Sequence, residues 1–387
     1  MSSPLTPWRM PVPGTRLQTP ADSRRFAVSR RRFLQGSAAV VTGLAAANCR
    51  QNLAGPPAGG GSNDGALHIY TWANYTDDGL AQAFTERTGI PVVVDIYDSN
   101  EIMLTRLQAG GGDAYSIIYP SDYMVSEMLE LDLLTALDQS RITGLENLRA
   151  QWSNPAYDPN NAHSVPFCWG TTGLLYNREA SPGEPTDWNF LWDNQAQLSR
   201  RITMLDDMRE TLGATLKSLG YSYNSNNPDE IEAAYNRLLE LRPHIAAFKT
   251  TGFENELLSG DLSVSMAYSS DAIALTLEDE RMQYIIPASG ASLWTDTLAI
   301  PATAPNVDAA YQWINFLLEP EVASSAVERL FFATANQAAF DLLPADIQNN
   351  ADLYPPDEIL AKSEGIVAVN TASTDLFDQF WTEVTSA

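Results

Sequence analysis

Strand and helix patterns alternate three times between residues 67 and 129, which limits the fold more than any other feature of the sequence. Short apolar runs bounded by turn residues predict strands, and apolar side chains at helical spacing predict the helices between them. An alternating order of this kind predicts an α/β fold with a mainly parallel sheet, in which ligands bind beyond the carboxyl ends of the strands. The predicted strands are 67–71, 91–97 and 114–119, and the predicted helices are 77–88, 100–109 and 121–129.

The remaining elements predict a second lobe and a crossing between the two. A chain of 387 residues suggests two domains, and the run 165–177 is typical of one strand continuing into another. We therefore expect lobe 1 to comprise residues 66–170 and 295–340, and lobe 2 to comprise 171–294 and 341–387. Further strands are predicted at 201–205, 262–268 and 283–287, and helices at 207–219, 228–241, 306–318, 320–330 and 375–384.

Residues 1–50 are typical of an export signal, since they contain eight arginines and one acidic residue. A twin-arginine pattern at 29–34 precedes an apolar run at 36–47, which is too short for a permanent membrane span. Cys49 follows a run of alanines and one asparagine, so lipid attachment to Cys49 and peptidase cleavage among the alanines both stay open. The glycine- and proline-rich residues 51–65 predict a flexible linker.

Composition excludes several classes of function. Beyond residue 50 the chain carries 47 acidic and 15 basic side chains, whereas nucleic acid binding needs a basic surface. Cys49 and Cys168 are too distant in sequence to indicate a disulfide framework. The three histidines, His68, His163 and His244, form no zinc-type pattern. We expect neither a metal site nor a cofactor.

The stretch from Ala291 to Pro301 suggests a binding site for an organic cation. Trp294 and Asp296 are two residues apart, so both project from the same face if the segment is extended. An indole beside a carboxylate on an exposed lip would attract a cation with its ring face and neutralise it with its charge. The alternative interpretation is a core tryptophan and a turn aspartate.

Asp207 and Glu210 form a second pair of interest. Residues three apart share one face of a helix, so both carboxylates would point the same way at a helix start. The same spacing is typical of a capping box, which is a structural role. Both interpretations hold together if the helix N-terminus keeps the carboxylates ionised.

Several aromatic side chains lie at predicted strand ends or in loops rather than within apolar runs. Their positions favour a box with aromatic walls for an alkyl chain with charged ends, whereas Trp169, Trp188 and Trp192 are expected to pack in the core or on the surface. The aromatic residues at strand ends are Trp72, Tyr75, Tyr123, Tyr268 and Trp294.

An enzyme is the less favoured interpretation. Pairs of acidic residues leave an exported glycoside hydrolase open. The sequence contains neither a Gly-x-Ser-x-Gly elbow nor a His-Glu-x-x-His motif, and Gly110 to Gly112 lack the lysine of a phosphate-binding loop.

The chain resembles the spermidine/putrescine-binding proteins of bacterial polyamine ABC transporters through most of residues 66–385. Six motifs carry the resemblance: Tyr-Thr-Trp-Ala-Asn-Tyr at 70–75, Pro-Ser-Asp-Tyr at 120–123, Pro-Phe-Cys-Trp-Gly at 166–170, Leu-Asp-Asp-Met-Arg-Glu at 205–210, Pro-Asp-Glu-Ile-Glu-Ala-Ala-Tyr-Asn at 228–236 and Leu-Trp-Thr-Asp-Thr-Leu-Ala-Ile-Pro at 293–301.

This resemblance implies a type II periplasmic-binding-protein fold of two lobes, which close on a polyamine and deliver it to a permease in the inner membrane. It implies a monomeric periplasmic receptor without catalytic activity. A receptor of the same fold for another cationic small molecule or a metal is the alternative. The implied ligand-binding residues are Trp72, Tyr75, Ser121, Tyr123, Asp207, Glu210, Trp294 and Asp296, to which the aromatic box adds Tyr268.

Two positions depart from the family pattern. Tyr268 stands where a tryptophan is common, and Gly365-Ile366 stand where some members place a Trp-Gln pair that contacts one amine. The second departure leaves open which polyamine is preferred and how one end of it is held.

Overall fold

The computed structural model describes residues 64–386. The predicted export signal, Cys49 and all but the last two residues of the predicted linker lie outside this range. Within it, ten strands form one sheet. Strands β1 to β10 are Leu67–Thr71, Val92–Ile96, Ile117–Ile118, Ser164–Asn177, Ile202–Met204, Ile245–Phe248, Val264–Tyr268, Met282–Ile285, Leu293–Ala299 and Ala333–Thr334.

Helices flank this sheet, and most of the predicted ones are confirmed within a few residues. Helices α1 to α14 are Asp78–Thr88, Asn100–Gln108, Asp122–Glu130, Phe190–Asp193, Met208–Ser218, Pro228–Leu241, Glu254–Ser259, Ser269–Glu278, Val307–Leu318, Pro320–Leu330, Gln337–Leu342, Ala345–Gln348, Asp357–Leu360 and Thr371–Ser386. None of the helices in residues 64–386 combines the length and the apolar character that a membrane crossing needs.

Capping residues explain why the regular helices begin and end where they do. The side chain of Asp77 accepts a hydrogen bond from the backbone N–H of Leu80 at the start of α1, and Gly89 ends that helix in the left-handed conformation. Asn227 caps α6, whose first residue, Pro228, needs no hydrogen bond to its nitrogen there. Local sequence therefore sets these boundaries.

The sheet is parallel at both ends and antiparallel in the middle. The strand order is β2-β1-β3-β9-β4-β7-β5-β6, with β8 and β10 also paired to β4. The first half of β4 pairs with β9, and the second half pairs with β7 and β8. The run 165–177 thus lies within one strand of 14 residues, Ser164–Asn177, that passes from one half of the sheet to the other, as the crossing prediction required.

The lobe boundaries stay a prediction, and the structure adds where they lie. The expected boundary at 170/171 falls inside β4, and the one at 294/295 falls inside β9. The buried side chains of the described residues form separate clusters. One contains Phe84 and Trp313, whose rings meet edge to face at 5.0 Å, and another contains Trp188 and Leu212 together with Tyr70 of β1.

Helix α8 was not predicted, since residues 269–271 look like the turn after a strand. In the structure β7 leads directly into α8 at Ser269, and no side chain caps that helix. A strand that runs into a helix without an intervening turn has no start signal in the sequence. The predicted packing role of Trp169, Trp188 and Trp192 is confirmed, because all three are buried.

Replacing Gly213 by alanine should destabilise the fold. A Cβ atom at this position in α5 would lie 2.0 Å from Cδ1 of Tyr223, whose ring is fully buried. We expect the free energy of unfolding to fall by about 1–3 kcal/mol, although alanine favours helix by about 1 kcal/mol. Urea denaturation measures the difference. Gly183→Ala is the matched control, because its nearest neighbour is 3.8 Å away; equal stability of the two variants would contradict the packing described here.

Candidate functional site

A cleft of about 870 Å³, including the space open to solvent, lies where the two halves of the sheet meet. The loops that follow β1, β2, β3, β5 and β7 contribute to its walls, and so does β9. The strand-end rule therefore predicted which segments meet at this cleft. All nine residues that sequence analysis proposed line this cleft: Trp72, Tyr75, Ser121, Tyr123, Asp207, Glu210, Tyr268, Trp294 and Asp296.

Asp296 lies at the centre of a hydrogen-bond network within the first half of the sheet. Tyr75 Oη donates to Oδ2 at 2.5 Å, and Ser121 Oγ donates to Oδ1 at 2.6 Å. Burial raises the pKa of Asp296 to about 6, although the bonds from Ser121 and Tyr75 oppose that rise. The carboxylate is fixed in position, while its charge has no cationic partner within 4.0 Å among residues 64–386.

Asn100 fixes the adjacent wall of the cleft, which contains Ser121 and Tyr123, by hydrogen bonds. Its Nδ2 donates to Ser121 Oγ at 3.0 Å and to Tyr123 Oη at 3.1 Å, and its Oδ1 accepts from the backbone N–H of Ser121. Tyr123 Oη in turn donates to Glu101 Oε1 at 2.9 Å. These bonds orient the ring of Tyr123 and the hydroxyl of Ser121 from behind.

Asp207 and Glu210 come from the second half of the sheet, at the start of α5. Asp207 is the N-cap, and its Oδ1 accepts from the backbone N–H of Glu210 at 2.9 Å. The side chain of Glu210 does not return to the cap, as a capping box requires, but accepts from Ser292 Oγ at 2.7–2.8 Å. Both carboxylates are buried and line the cleft. The capping role is confirmed for Asp207, and the binding role of the two residues stays a prediction.

Trp294 and Tyr268 form an aromatic corner of the cleft. Their ring centroids are 5.9 Å apart with an interplanar angle of 81°. The indole lies against Gly170 on the adjacent strand β4, and a Cβ atom there would lie 2.2 Å from Cζ2 of Trp294. Glycine is needed at 170 because any side chain would displace this wall.

The expectation of an exposed lip at Trp294 and Asp296 was wrong. Their fractional exposures are 6% and 4%, because β9 lies inside the sheet between β3 and β4 and the cleft walls cover its inner face. A period-two pattern predicts that two residues project from the same face of a strand, but it does not predict which other elements cover that face.

The charge of the cleft is one-sided. The residues that line it include six with carboxyl groups and none with a basic side chain: Asp98, Asp122, Asp207, Glu210, Asp271 and Asp296. Within residues 64–386, no three or more of the metal-binding side chain types are grouped so as to hold a metal ion. The cleft is therefore suited to a ligand with more than one positive charge.

Burial in this cleft raises several carboxyl pKa values. Burial raises the pKa of Asp207, with Glu101 adding to the rise, and it raises that of Glu210, with Asp207 adding to it. Asp271 has a pKa raised to about 7 by burial and by Glu254, which a hydrogen bond with Asn74 opposes. Repulsion between like charges and loss of solvation both raise the pKa of these carboxyl groups.

Sequence analysis missed several residues of the cleft wall. Asp122 stands between two residues that were proposed, and Asp271 follows the end of β7, so the strand-end rule could have found both. Asn74 has a positive φ of 66°, which the sequence Ala-Asn-Tyr does not reveal. Ile366 comes from a coil far along the chain, and no local signal places it in the cleft.

Comparison with known proteins assigns the family. A model of the bacterial extracellular solute-binding proteins matches residues 79–355. The chain belongs to this family. The fold expected for it, two lobes of the type II periplasmic-binding-protein kind, is confirmed, and so is the interpretation as a solute-binding transport protein rather than an enzyme.

Similarity to individual members of the solute-binding family extends over most of the chain. The spermidine/putrescine-binding periplasmic protein of Escherichia coli is 34% identical over 351 residues, which are 90% of this chain and 97% of that protein. The putrescine-binding periplasmic protein PotF of the same species is 32% identical over 338 residues, 83% of this chain and 91% of that one.

A solved structure described as a putative spermidine/putrescine ABC transporter from Listeria monocytogenes superposes on this solute-binding protein with a TM-score of 0.77. It is 36% identical, and the match covers 83% of this chain and 98% of the other. The relatives support the family's transport role and its periplasmic location.

The stability of the ligand-free solute-binding protein should fall as pH rises from 5 to 7.5. A carboxyl group whose pKa is higher in the folded than in the unfolded state binds protons more tightly when folded, so the stabilising protonation is lost as pH rises through the folded value. Asp207→Asn combined with Glu210→Gln should flatten this dependence by on the order of 2 kcal/mol; asparagine keeps the helix cap.

Urea denaturation at pH 5 and pH 7.5, without added cations, measures this dependence. Glu232→Gln is the control, because Glu232 is exposed on α6, away from the cleft. A double variant with the same pH dependence as the parent would contradict the assignment of buried carboxyl groups to this effect.

Proposed function

We propose that the protein is a periplasmic receptor that captures polyamines, spermidine and/or putrescine, and delivers them to an ABC transporter. The observation that carries this proposal is the set of six carboxyl groups without a basic residue in an aromatic-walled cleft. The relatives named for spermidine and putrescine support it, since their sequence similarity covers most of both chains.

In the proposed complex, carboxylates neutralise ammonium groups and rings enclose the methylene groups. Asp207, Glu210 and Asp296 pair with the charges, and Asp271 offers a further carboxylate. The alkyl chain packs against the aromatic rings of Trp72, Tyr75, Tyr123, Tyr268 and Trp294. Ser121 is the remaining contact residue.

The energies allow such a complex. Each cation–π contact contributes roughly 0.5–2 kcal/mol, and each buried methylene about 0.8 kcal/mol. Micromolar binding needs only about 8 kcal/mol, so several such contacts leave a surplus to offset the ordering of ligand and side chains. Closure of the two lobes around the ligand would complete the site.

Transport implies further features of the protein. We propose export by the twin-arginine route, guided by residues 29–34, followed by lipid attachment to Cys49 or cleavage among the preceding alanines. The mature receptor would act as a monomer, and a permease in the inner membrane would recognise its closed form. Intact-mass measurement of the exported protein distinguishes the two N-termini, because a diacylglyceryl group on Cys49 adds a defined mass.

Isothermal titration calorimetry with putrescine and spermidine tests the proposed function. We expect saturable binding at micromolar or lower concentration of both amines or of one. Butylamine, which has a single ammonium group, should bind far more weakly, because it leaves most of the cleft carboxylates unpaired. The absence of binding by both polyamines would exclude the function.

Asp296→Asn should weaken polyamine binding by about 2–5 kcal/mol, because a desolvated ammonium loses its charged partner. Asparagine keeps the size of the side chain; its Oδ1 can accept a hydrogen bond from one of the two hydroxyl groups of Tyr75 and Ser121, and its Nδ2 can donate to the oxygen of the other. The loss therefore reports mainly the charge. Glu232→Gln again serves as control. Unchanged affinity for every polyamine tested would remove Asp296 from the binding site.

A further inference from the structure

Asn100, the first residue of α2, is a buried amide that lines the cleft and that sequence analysis did not single out. It is 2% exposed. The start of α2 does not need its side chain, because Ser99 is the N-cap and accepts a hydrogen bond from the backbone N–H of Ile102. The polar atoms of Asn100 therefore serve the cleft wall rather than the helix.

Hydrogen bonds determine which way the amide of Asn100 points. Its Oδ1 lies 3.1 Å from the backbone nitrogen of Ser121, and a backbone N–H can only donate, so the oxygen must be on that side. Nδ2 then lies 3.0 Å from Ser121 Oγ and 3.1 Å from Tyr123 Oη. Because an amide nitrogen can only donate, both hydroxyl oxygens accept a hydrogen bond from Asn100.

The hydrogens of these hydroxyl groups are directed at carboxylates. Ser121 Oγ donates to Asp296 Oδ1 at 2.6 Å, and Tyr123 Oη donates to Glu101 Oε1 at 2.9 Å. Tyr75 Oη donates to the other oxygen of Asp296. The protein thus uses the hydroxyl hydrogen of all three side chains. A ligand can reach only the remaining lone pairs, so these hydroxyl groups accept hydrogen bonds from it and donate none.

This hydrogen-bond polarity distinguishes between two kinds of organic cation. Primary and secondary ammonium groups carry N–H donors for the open lone pairs. A quaternary ammonium group carries the same charge and is attracted by aromatic rings, but it has no hydrogen to donate. Its methyl groups would cover the hydroxyl oxygens and leave them without a partner, which costs free energy in a buried site. Carboxylates and rings alone would accept both kinds of cation.

On the proposed function, we infer that Asn100 is a positioning residue that sets the hydrogen-bond polarity of this wall, so that the receptor selects primary and secondary ammonium ligands over quaternary ones. Asn100 acts through Ser121 and Tyr123. By donating to both oxygens from one side, it keeps each hydroxyl hydrogen on its carboxylate and each open lone pair fixed in place. Without the amide, both hydroxyl groups are free to turn.

Calorimetry with N-methylated ligands tests the selectivity. Each polyamine that binds the parent protein is compared with its fully N-methylated, quaternary analogue, which keeps the charges and the methylene spacers. We expect the analogue to bind at least about tenfold more weakly, because it loses the hydrogen bonds of its charged groups. A smaller difference overturns the inference. No binding of either putrescine or spermidine rejects the proposed function itself, and the inference with it.

Asn100→Leu tests the positioning role, because leucine has a similar size and no polar atom. It should weaken polyamine binding by about tenfold and change binding of the quaternary analogue by less than about twofold. Asn255→Leu is the matched control, since Asn255 is exposed on α7 and outside the cleft lining; it should leave both affinities unchanged. Equal loss for the two ligands, as from a purely structural defect, or no loss overturns the role of Asn100.

A second variant keeps the inference testable if Asn100→Leu does not fold. Ser121→Ala combined with Tyr123→Phe removes the two hydroxyl oxygens and leaves Asn100 in place. It should narrow the selectivity by raising the dissociation constant of the polyamine. An unchanged dissociation constant for the polyamine overturns the inference, because the exclusion of quaternary ligands would then depend on the size of the methyl groups alone.

Discussion

The properties of the cleft depend on buried carboxyl groups that are shielded from water and have no cation beside them. Removing a carboxylate from water costs several kcal/mol unless its charge is compensated. Hydroxyl groups offset part of that cost, since Tyr75 and Ser121 donate to Asp296 and Ser292 donates to Glu210. Hydrogen bonds fix the position of a charge but do not neutralise it. A ligand that brings positive charge can therefore compensate the remaining desolvation cost of these carboxylates.

The strand pair β4 and β9 explains how these groups come to share one cleft. Cys168 pairs with Asp296 and Gly170 with Trp294 in the register of the two strands, so the buried small residues of β4 lie beside the two residues of β9 that line the cleft. The same β4 continues into the second half of the sheet, where β7 leads to Tyr268. One continuous strand therefore brings both halves of the sheet to the same site.

Sequence analysis found those parts of the protein that depend on local rules. The predicted strand ends indicated the positions of Trp72, Ser121 and Asp207, because the topology of alternating strands and helices determines where strand ends meet. The burial of Asp296 depends on its neighbouring strands, and the place of Ile366 depends on hydrogen bonds to residues more than 140 positions away. Neither has a local signal, so neither could be predicted without the tertiary structure.

Burial of the cleft carboxyl groups has opposite consequences for the empty and the occupied protein. Raised pKa values mean that the empty cleft retains protons at a pH where exposed carboxyl groups are ionised. A polycation binds the ionised form and must displace those protons. Binding therefore releases protons in the range where the groups titrate, and affinity increases with pH there, while the stability of the empty protein decreases. The desolvation that destabilises the ligand-free protein is thus also what makes it selective for charge.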